Sequence, residues 1–559
     1  MSICTIDMKS VLKYVLPFVI TLLAVMSAGA ESAVFTASEN GILPGSKIGK
    51  KVTSLCEKYN LGGAKNSVKL IFDQPGDYYL ESGILVQCNV EIEGVKGVNF
   101  VLDKDCAFVY TSYLALIGAP ENNITVKISD ISLTMPHHDE IWWPGEARQV
   151  ISIHDAKSVQ LSGVNVSSNH AVNTLVDIRR SSNVTVTGCK LTNYNNCRES
   201  GNLWIRGGAE NVKITGNEFR KYGNDEIIAL WTNPDEFAIN GRAEFKNVEI
   251  GNNKVYYGYS GSGKRKISAN VLFCFFNDNE GTGTGMYRNT VNRFSNFNIH
   301  DNKIEIKDPV GQLIGFRFNE HTVFDGIRIT GNRVRYSDYI ANGISYTADI
   351  DIRNSSPCRN KIFVGNNDIQ GSDDIKNAYG ERIHYFVNVV NACMELKDNR
   401  VKSKHGFYGF STDSDGTEIE MSGNNFDNLF KLGSVASANP LKSFKLKASD
   451  NSFEGITQIY FRNLQHASLE FDGNTFKSGD YTLLLMEFAR NGSLKFTGNL
   501  VESTNPGGKS VMYSKYTGGE VKYHFDNITV TGNIFGNIDL GTLQSAPCSS
   551  RKIRRNLNL

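Results

Sequence analysis

Between residues 210 and 535 the chain writes nearly the same eight-residue string eleven times: apolar, any, apolar, any, Gly or polar, Asn, any, apolar. Copies begin at Val212 (VKITGNEF), Val248 (VEIGNNKV), Phe297 (FNIHDNKI), Ile327, Ile362, Met394, Ile419, Leu446, Leu469, Leu494 and Ile528 (ITVTGNIF). The recurring Asn falls at 217, 253, 302, 332, 367, 399, 424, 451, 474, 499 and 533, a spacing of 23 to 49 residues. A unit repeated at that interval marks a stacked solenoid. The apolar letters alternate within each copy, which is strand periodicity. The Asn stands where the chain must turn, and Asn tolerates left-handed backbone there. Stacked turns would also let the amides bond one another along a column. Looser copies at Val126 (VKISDISL), Val159 (VQLSGVNV) and Val184 (VTVTGCKL) carry Ile131, Val164 and Cys189 in the Asn slot, and Val90 (VEIEG) opens the array. The pattern predicts an all-β chain, a parallel β-helix of about 14 coils and roughly 65–70 Å length at a strand spacing of about 4.8 Å. Each coil touches only its neighbours, so the rod is one structural domain.

The flanks divide by composition. Residues 1–30 read as a signal peptide: Lys9 and Lys13 precede an apolar run from Val15 to Met26, and Ala28-Gly29-Ala30 is a small-x-small cleavage site. The run is short for a membrane span, and no second apolar run could supply one. The mature chain is therefore expected to be secreted, periplasmic or on the cell surface. Without those residues 57 basic and 57 acidic side chains remain. That balance argues against a nucleic-acid partner, which would require a basic surplus. Nine Cys remain at irregular spacing, which is no disulfide framework. Residues 31–68 are expected as an N-terminal cap, with a helix in SKIGKKVTSLCEKYNL, because a bare solenoid end exposes a strand edge. The β-helix is expected over 69–536, and 537–559 as a loose basic tail.

A further strand can be aligned in each coil: VISIHDA from Val150, LVDIRR from Leu175, LWIRGG from Leu203, IIALWTN from Ile227 and LIGFRFNE from Leu313. If Ile153, Ile178, Ile205 and Leu230 face the core, alternation puts Ser152, Asp177, Trp204 and Ala229 in one outward row. His154, Arg179, Arg206 and Trp231 form the next, with Asp225 and Glu226 entering from a turn and Arg317 further along. Two of the chain's four Trp thus lie on one exposed face. Trp stacks on sugar rings, and Arg forks bind uronate or sulfate groups. The arrangement suggests substrate contacts from Arg179, Trp204, Arg206, Trp231 and Arg317. Acid–base chemistry would come from Asp225 or Glu226 with Asp177 or His154 as partner. Carboxyl separations of roughly 5–9 Å would cover both retaining and inverting hydrolysis. Proton abstraction beside a neutralised uronate would instead give elimination. His137, His138, Asp139 and Glu140 have a metal-like composition, but adjacent ligands on one loop rarely close a coordination sphere, so no metal site is expected.

Pro75-Gly76-Asp77-Tyr78-Tyr79-Leu80, followed by the N-V-x-I-x-G-N-x-apolar units, resembles the right-handed parallel β-helix proteins of the pectin-lyase-like superfamily over about residues 68–536. The resemblance implies a right-handed coil. For activity it spans polysaccharide lyases, glycoside hydrolases, epimerases, adhesins and tailspikes. Gly223-Asn224-Asp225-Glu226 looks like a drifted form of the D-D segment of polygalacturonase-like hydrolases, but no G-H-G or R-I-K follows and W-x-D-H is absent. The expected function is binding and cleavage of an extracellular polysaccharide by a lyase or hydrolase mechanism. The alternative is a non-catalytic glycan-binding or surface-interaction rod. No cofactor is expected, although a lyase would admit a divalent cation such as calcium.

Overall fold

The computed structural model describes residues 30–103, 109–110, 123–135, 149–168, 174–194, 201–222, 226–232, 244–258, 271–277, 292–307, 312–317, 322–336, 340–342, 347–354, 360–371, 374–376, 384–435, 441–456, 458–462, 464–478, 482–487, 491–503, 510–513, 525–537 and 548–558. Strands dominate, and their long sheets are parallel throughout. The first face of the coil is a ladder of eighteen strands built from the repeated apolar-x-apolar segments. Val212, for example, pairs with Val184 on one side and Val248 on the other. The chain turns at the Asn and enters a second ladder, as in Glu218–Lys221 stacked on Lys190–Asn193. A third ladder holds the longer strands Gln149–His154, Thr174–Arg179, Gly201–Arg206 and Ile228–Thr232. Arg400–Thr412 and Asn425–Val435 each run unbroken through the second and third ladders, joining them into one 30-stranded sheet. Inward residues of all three faces pack into a continuous core. Its rings stack from coil to coil, as in Phe426, Phe453 and Phe476 at centroid separations of 5.7 and 5.1 Å. The architecture is the all-β parallel β-helix expected.

The ends differ from expectation. Ser32–Thr36 and Ser67–Phe72 are already the first two strands of the first ladder, so residues 31–68 contain a coil of their own. The helix Gly49–Asn60 buries Val52 and Cys56. It lies beside Ile84–Leu85, the first strand of the third ladder, where Asn60 Nδ2 donates to the Leu85 carbonyl at 3.2 Å. At the other end, within the expected loose tail, Cys548–Arg554 pairs with Phe525–Thr531, and Leu557 with Ile534. Eighteen strands spaced by about 4.8 Å make a rod of roughly 80 Å rather than 65–70 Å.

The Asn column forms, with a different division of labour from that expected. Each of the eleven Asn is at most 2% exposed. Each donates from Nδ2 to Oδ1 of the next, from Asn217 to Asn253 and so on to Asn533, at 2.8 to 3.0 Å. The same Oδ1 accepts the backbone N–H of the preceding Asn, and the second Nδ2 hydrogen reaches a carbonyl of the preceding coil, such as Leu396 for Asn424. Every donor and acceptor of the amide is thereby used. A twelfth member, Asn556, closes the column at 3.0 Å from Asn533. The left-handed residue is not the column Asn but the one before it. Gly216, Asn252, Asp301, Gly331, Asn366, Asp398 and their equivalents all have positive φ between 53° and 68°. The Gly, Asp or Asn at that letter answers a backbone demand. The invariant Asn answers a hydrogen-bonding one.

Candidate functional site

The third ladder carries the rows read from the sequence, in the expected register. Ser152, Asp177, Trp204 and Ala229 stand opposite one another on successive strands, as do His154, Arg179, Arg206 and Trp231. The small members Cys274 and Gly315 continue the first row, and Phe276 and Arg317 continue the second. Arg317 therefore sits three strands beyond Arg206, about 14 Å along the axis, outside the cluster. Asp225 lies outside the described residues. Glu226 is half-buried just before Ile228–Thr232, two strands from Asp177. The loop with His137, His138, Asp139, Glu140, Trp142 and Trp143 also lies outside the described residues. Among the described residues no group of three or more His, Cys, Asp or Glu could hold a metal ion.

Exposure departs from expectation. Asp177 is fully buried, Trp204 is 3% exposed and Arg206 9%. The face opposite the core is thus itself closed at these strands, and the residues form a compact polar layer rather than an open row. A buried carboxylate has to be paired, and Asp177 is paired twice. Arg179 Nε and Nη2 both reach Oδ2 at 2.9 Å. Arg206 Nε reaches Oδ1 at 2.8 Å while its Nη2 bonds Oδ2. The Arg206 guanidinium in turn lies 5.5 Å from the Trp204 ring and 5.2 Å from the Trp231 ring, which are themselves 4.9 Å apart. Cation–π contact of this kind suits a guanidinium whose charge is already partly met.

His154 shares the layer. Its Nε2 is 3.1 Å from Ser152 Oγ, and burial pulls its pKa down to about 4, so the ring is neutral at neutral pH. Below it the corner residues Asp155 and Arg180 form a bidentate pair, with Nε to Oδ1 at 2.6 Å and Nη2 to Oδ2 at 2.7 Å. This pair escaped the reading of the sequence. Its signal was available, since both residues directly follow a third-ladder strand one coil apart and carry opposite charges. The layer is left with Arg179 as its most accessible cation, with 20% of the side chain exposed, beside the half-buried Trp231.

A second polar knot lies five strands further along the same row. Asp351 accepts from Arg353 Nε at 3.0 Å, from Asn388 Nδ2 at 2.7 Å and from Gln312 Nε2. Asp177-Ile178-Arg179 and Asp351-Ile352-Arg353 are the same local device, an Arg folding back on the Asp two residues before it.

Cys189 is a free, buried thiol pushed up to about 11 by desolvation, which suits an apolar filler. Its N–H donates to Asn217 Oδ1 at 2.9 Å and so begins the amide column.

With three parallel ladders and an internal amide column established, the fold is settled. The chain is a parallel β-helix. Solved structures similar to it include an exopolygalacturonase and a surface adhesin. The family 28 exopolygalacturonase of Yersinia enterocolitica aligns over 89% of this chain and 78% of its own, at 9% identity and a TM-score of 0.36. PfbA, a surface adhesin of Streptococcus pneumoniae, aligns over 76% of this chain and 93% of its own, at 11% identity and a TM-score of 0.32. No protein-family model and no curated protein matches the chain. Among the described residues no helix is long and apolar enough to cross a membrane. Function has to be read from the chain's own side chains, because a β-helix hosts many activities.

Proposed function

We propose that the chain is an exported β-helix protein that binds an acidic polysaccharide along its third ladder. The observation that carries this reading is the edge at which an otherwise buried layer of Arg and Trp reaches the surface. Arg179 and Arg206 share Asp177, and Arg180 pairs with Asp155. Arg179, with 20% of its side chain exposed, and the half-buried Trp231 stand in one row on either side of Arg206. A uronate or sulfate bound there would accept a charge-assisted bond from Arg179, and the Trp231 ring would support the sugar. Both Asp177 oxygens are engaged by guanidinium groups, so Asp177 acts as their anchor rather than as an acid or base. The test is retention on a uronate polymer compared with its methyl-esterified form. Wild type should be held by the first alone, and Arg179→Ala or Trp231→Ala should weaken retention at least about tenfold. Equal retention of these folded variants would sink the assignment.

Cleavage of the bound chain is the second reading, and His154 favours elimination over hydrolysis. A neutral imidazole can accept the proton α to a uronate carboxylate that Arg179 has neutralised. The carbon then forms a double bond to its neighbour, and the glycosidic oxygen departs with its electron pair and takes up a proton. Elimination leaves an unsaturated uronate absorbing in the near ultraviolet, whereas hydrolysis leaves only a new reducing end. His154→Gln should abolish the first signal. If wild type generates neither product from any chain it retains, the protein is a binding rod.

A further inference from the structure

The second ladder bears a groove of about 360 Å³ that the third-ladder reading does not use. Its floor is made by two coils whose outward residues are short, Ser132 and Thr134 on one and Asn165 and Ser167 on the next. On the following coils the same two rows carry Lys190, Thr192 and Arg220, and the side chains suddenly lengthen. That step in side-chain length creates the depression. Tyr194 stands at the step. Tyr222 stacks on one face of its ring at 4.6 Å with the planes 9° apart. What Tyr194 offers the groove is therefore its other face and its phenolic edge. The rings are held in place, since Tyr256 packs against Tyr222 at 5.5 Å with the planes 48° apart.

Among the described residues the charges at this end are unbalanced. Lys190 and Arg220 share one carboxylate, Glu218, at 3.6 and 2.6 Å. Half of the Lys190 side chain and 42% of that of Arg220 remain exposed. The groove thus combines hydroxyl and amide groups on its floor, a fixed aromatic plane at one end and a spare cation beside that plane. These are the elements that recognise a sugar ring carrying an acidic group: hydrogen bonds to its hydroxyls, stacking on its apolar face and a charge-assisted bond to its anion.

We propose that this groove is a second glycan-binding site, separate from the third-ladder layer and on a different face of the coil, which takes an acidic oligosaccharide. The ring rests against Tyr194, and its carboxylate or sulfate meets Lys190 and Arg220. Together with the third ladder, the site gives the rod two faces for one polymer, so that long chains are held by avidity.

The experiment titrates the full chain with two acidic hexasaccharides, one carboxylated (an oligogalacturonate) and one sulfated (heparin-derived), with neutral cellohexaose as reference. Ser167→Trp fills the groove from an exposed floor position without disturbing the core, and should weaken binding of the acidic probe by at least about tenfold. Tyr194→Ala should cost roughly tenfold while Tyr194→Phe retains most of the affinity, because the plane and not the hydroxyl does the holding. Lys190→Ala with Arg220→Ala should erase the preference over cellohexaose. These groove variants are also read in an Arg179→Ala background, which silences the third-ladder site, so that loss of binding there reports on the groove alone and separates the present proposal from the preceding one. Absence of saturable binding of either acidic probe below about 1 mM overturns it. So does binding that survives Ser167→Trp intact, or that shows no preference for the acidic probes. The probe bound more tightly identifies the anion as carboxylate or sulfate.

Discussion

Replacing Asn424 by Leu asks whether the amide column holds the turns in phase. Leu has the same branched skeleton as Asn and no polar atoms, so the change is electrostatic more than steric. In the intact column Asn424 Oδ1 accepts from the Asn399 N–H at 3.0 Å and from Asn399 Nδ2 at 2.9 Å. Its own Nδ2 donates to the Leu396 carbonyl and to Asn451 Oδ1, both at 2.8 Å. The substitution strands two buried donors on Asn399. Asn451 Oδ1 loses one of two donors and keeps the backbone N–H of residue 424. At about 1–3 kcal/mol for each buried donor left unpaired, the cost is about 2–6 kcal/mol. Asn556 supplies the control. It makes the same two bonds to Asn533, at 3.1 and 3.0 Å, but at a partly buried position that water can reach. Asn556→Leu should therefore cost less than Asn424→Leu. A solenoid opens piecewise, so a local measurement is needed beside urea denaturation. Hydrogen exchange at the Asn399 amide should accelerate strongly in Asn424→Leu and remain unchanged in Asn556→Leu. If both variants shift the urea midpoint equally, or if Asn399 keeps its protection, the column is a passenger and strand packing alone sets the turns.

Three further outcomes are expected. His154 binds protons less readily folded, at about 4, than its ordinary 6.5, so the unfolded chain takes up more protons between those values. Stability is complete above about pH 6.5 and falls by up to about 3 kcal/mol as pH drops towards 4, and His154→Gln should flatten that slope in denaturation midpoints taken across the window. Arg206→Ala leaves the buried Asp177 with Arg179 alone, which should cost about 3–5 kcal/mol, and the companion change Asp177→Asn should recover part of it; additive losses in the double-mutant cycle would contradict the coupling. Gly216 has φ of +67° and open space where a Cβ would be, so backbone strain is its one constraint. Gly216→Asn should be nearly neutral and Gly216→Val should cost about 1–2 kcal/mol in urea denaturation; equal costs would show that the left-handed turn is unimportant.

The fold was legible because the strand period and the Asn interval are both written in short-range letters. The third-ladder register was legible for the same reason, and alternation alone placed Asp177 beside Trp204 and Arg179 beside Arg206. What alternation cannot report is what lies over a face. Trp204 was expected on the surface because it points away from the core, yet it is buried with Arg206 and Asp177 on the side opposite the core. The final coil was missed because two of its repeat letters are replaced: Arg551 stands opposite Ile528 and Arg555 takes the left-handed place of Gly532. Arg551 stays exposed, so the apolar signal is absent where the strand pairing is intact. The Tyr194 groove was missed because it depends on a difference in side-chain length between neighbouring coils, which no single copy of the repeat contains.

The amide column also decides how this chain can change over time. Successive members are bonded identically whether 23, 25, 36 or 49 residues separate them in sequence. The column behaves as a phase marker: it resets the chain to the same angular position once per turn, whatever has been traversed since the last reset. An insertion on any other side of the coil adds length without rotating the coils beyond it. A lineage carrying such a marker could lengthen, shorten or exchange its surface segments independently, coil by coil, while every downstream strand kept its neighbours.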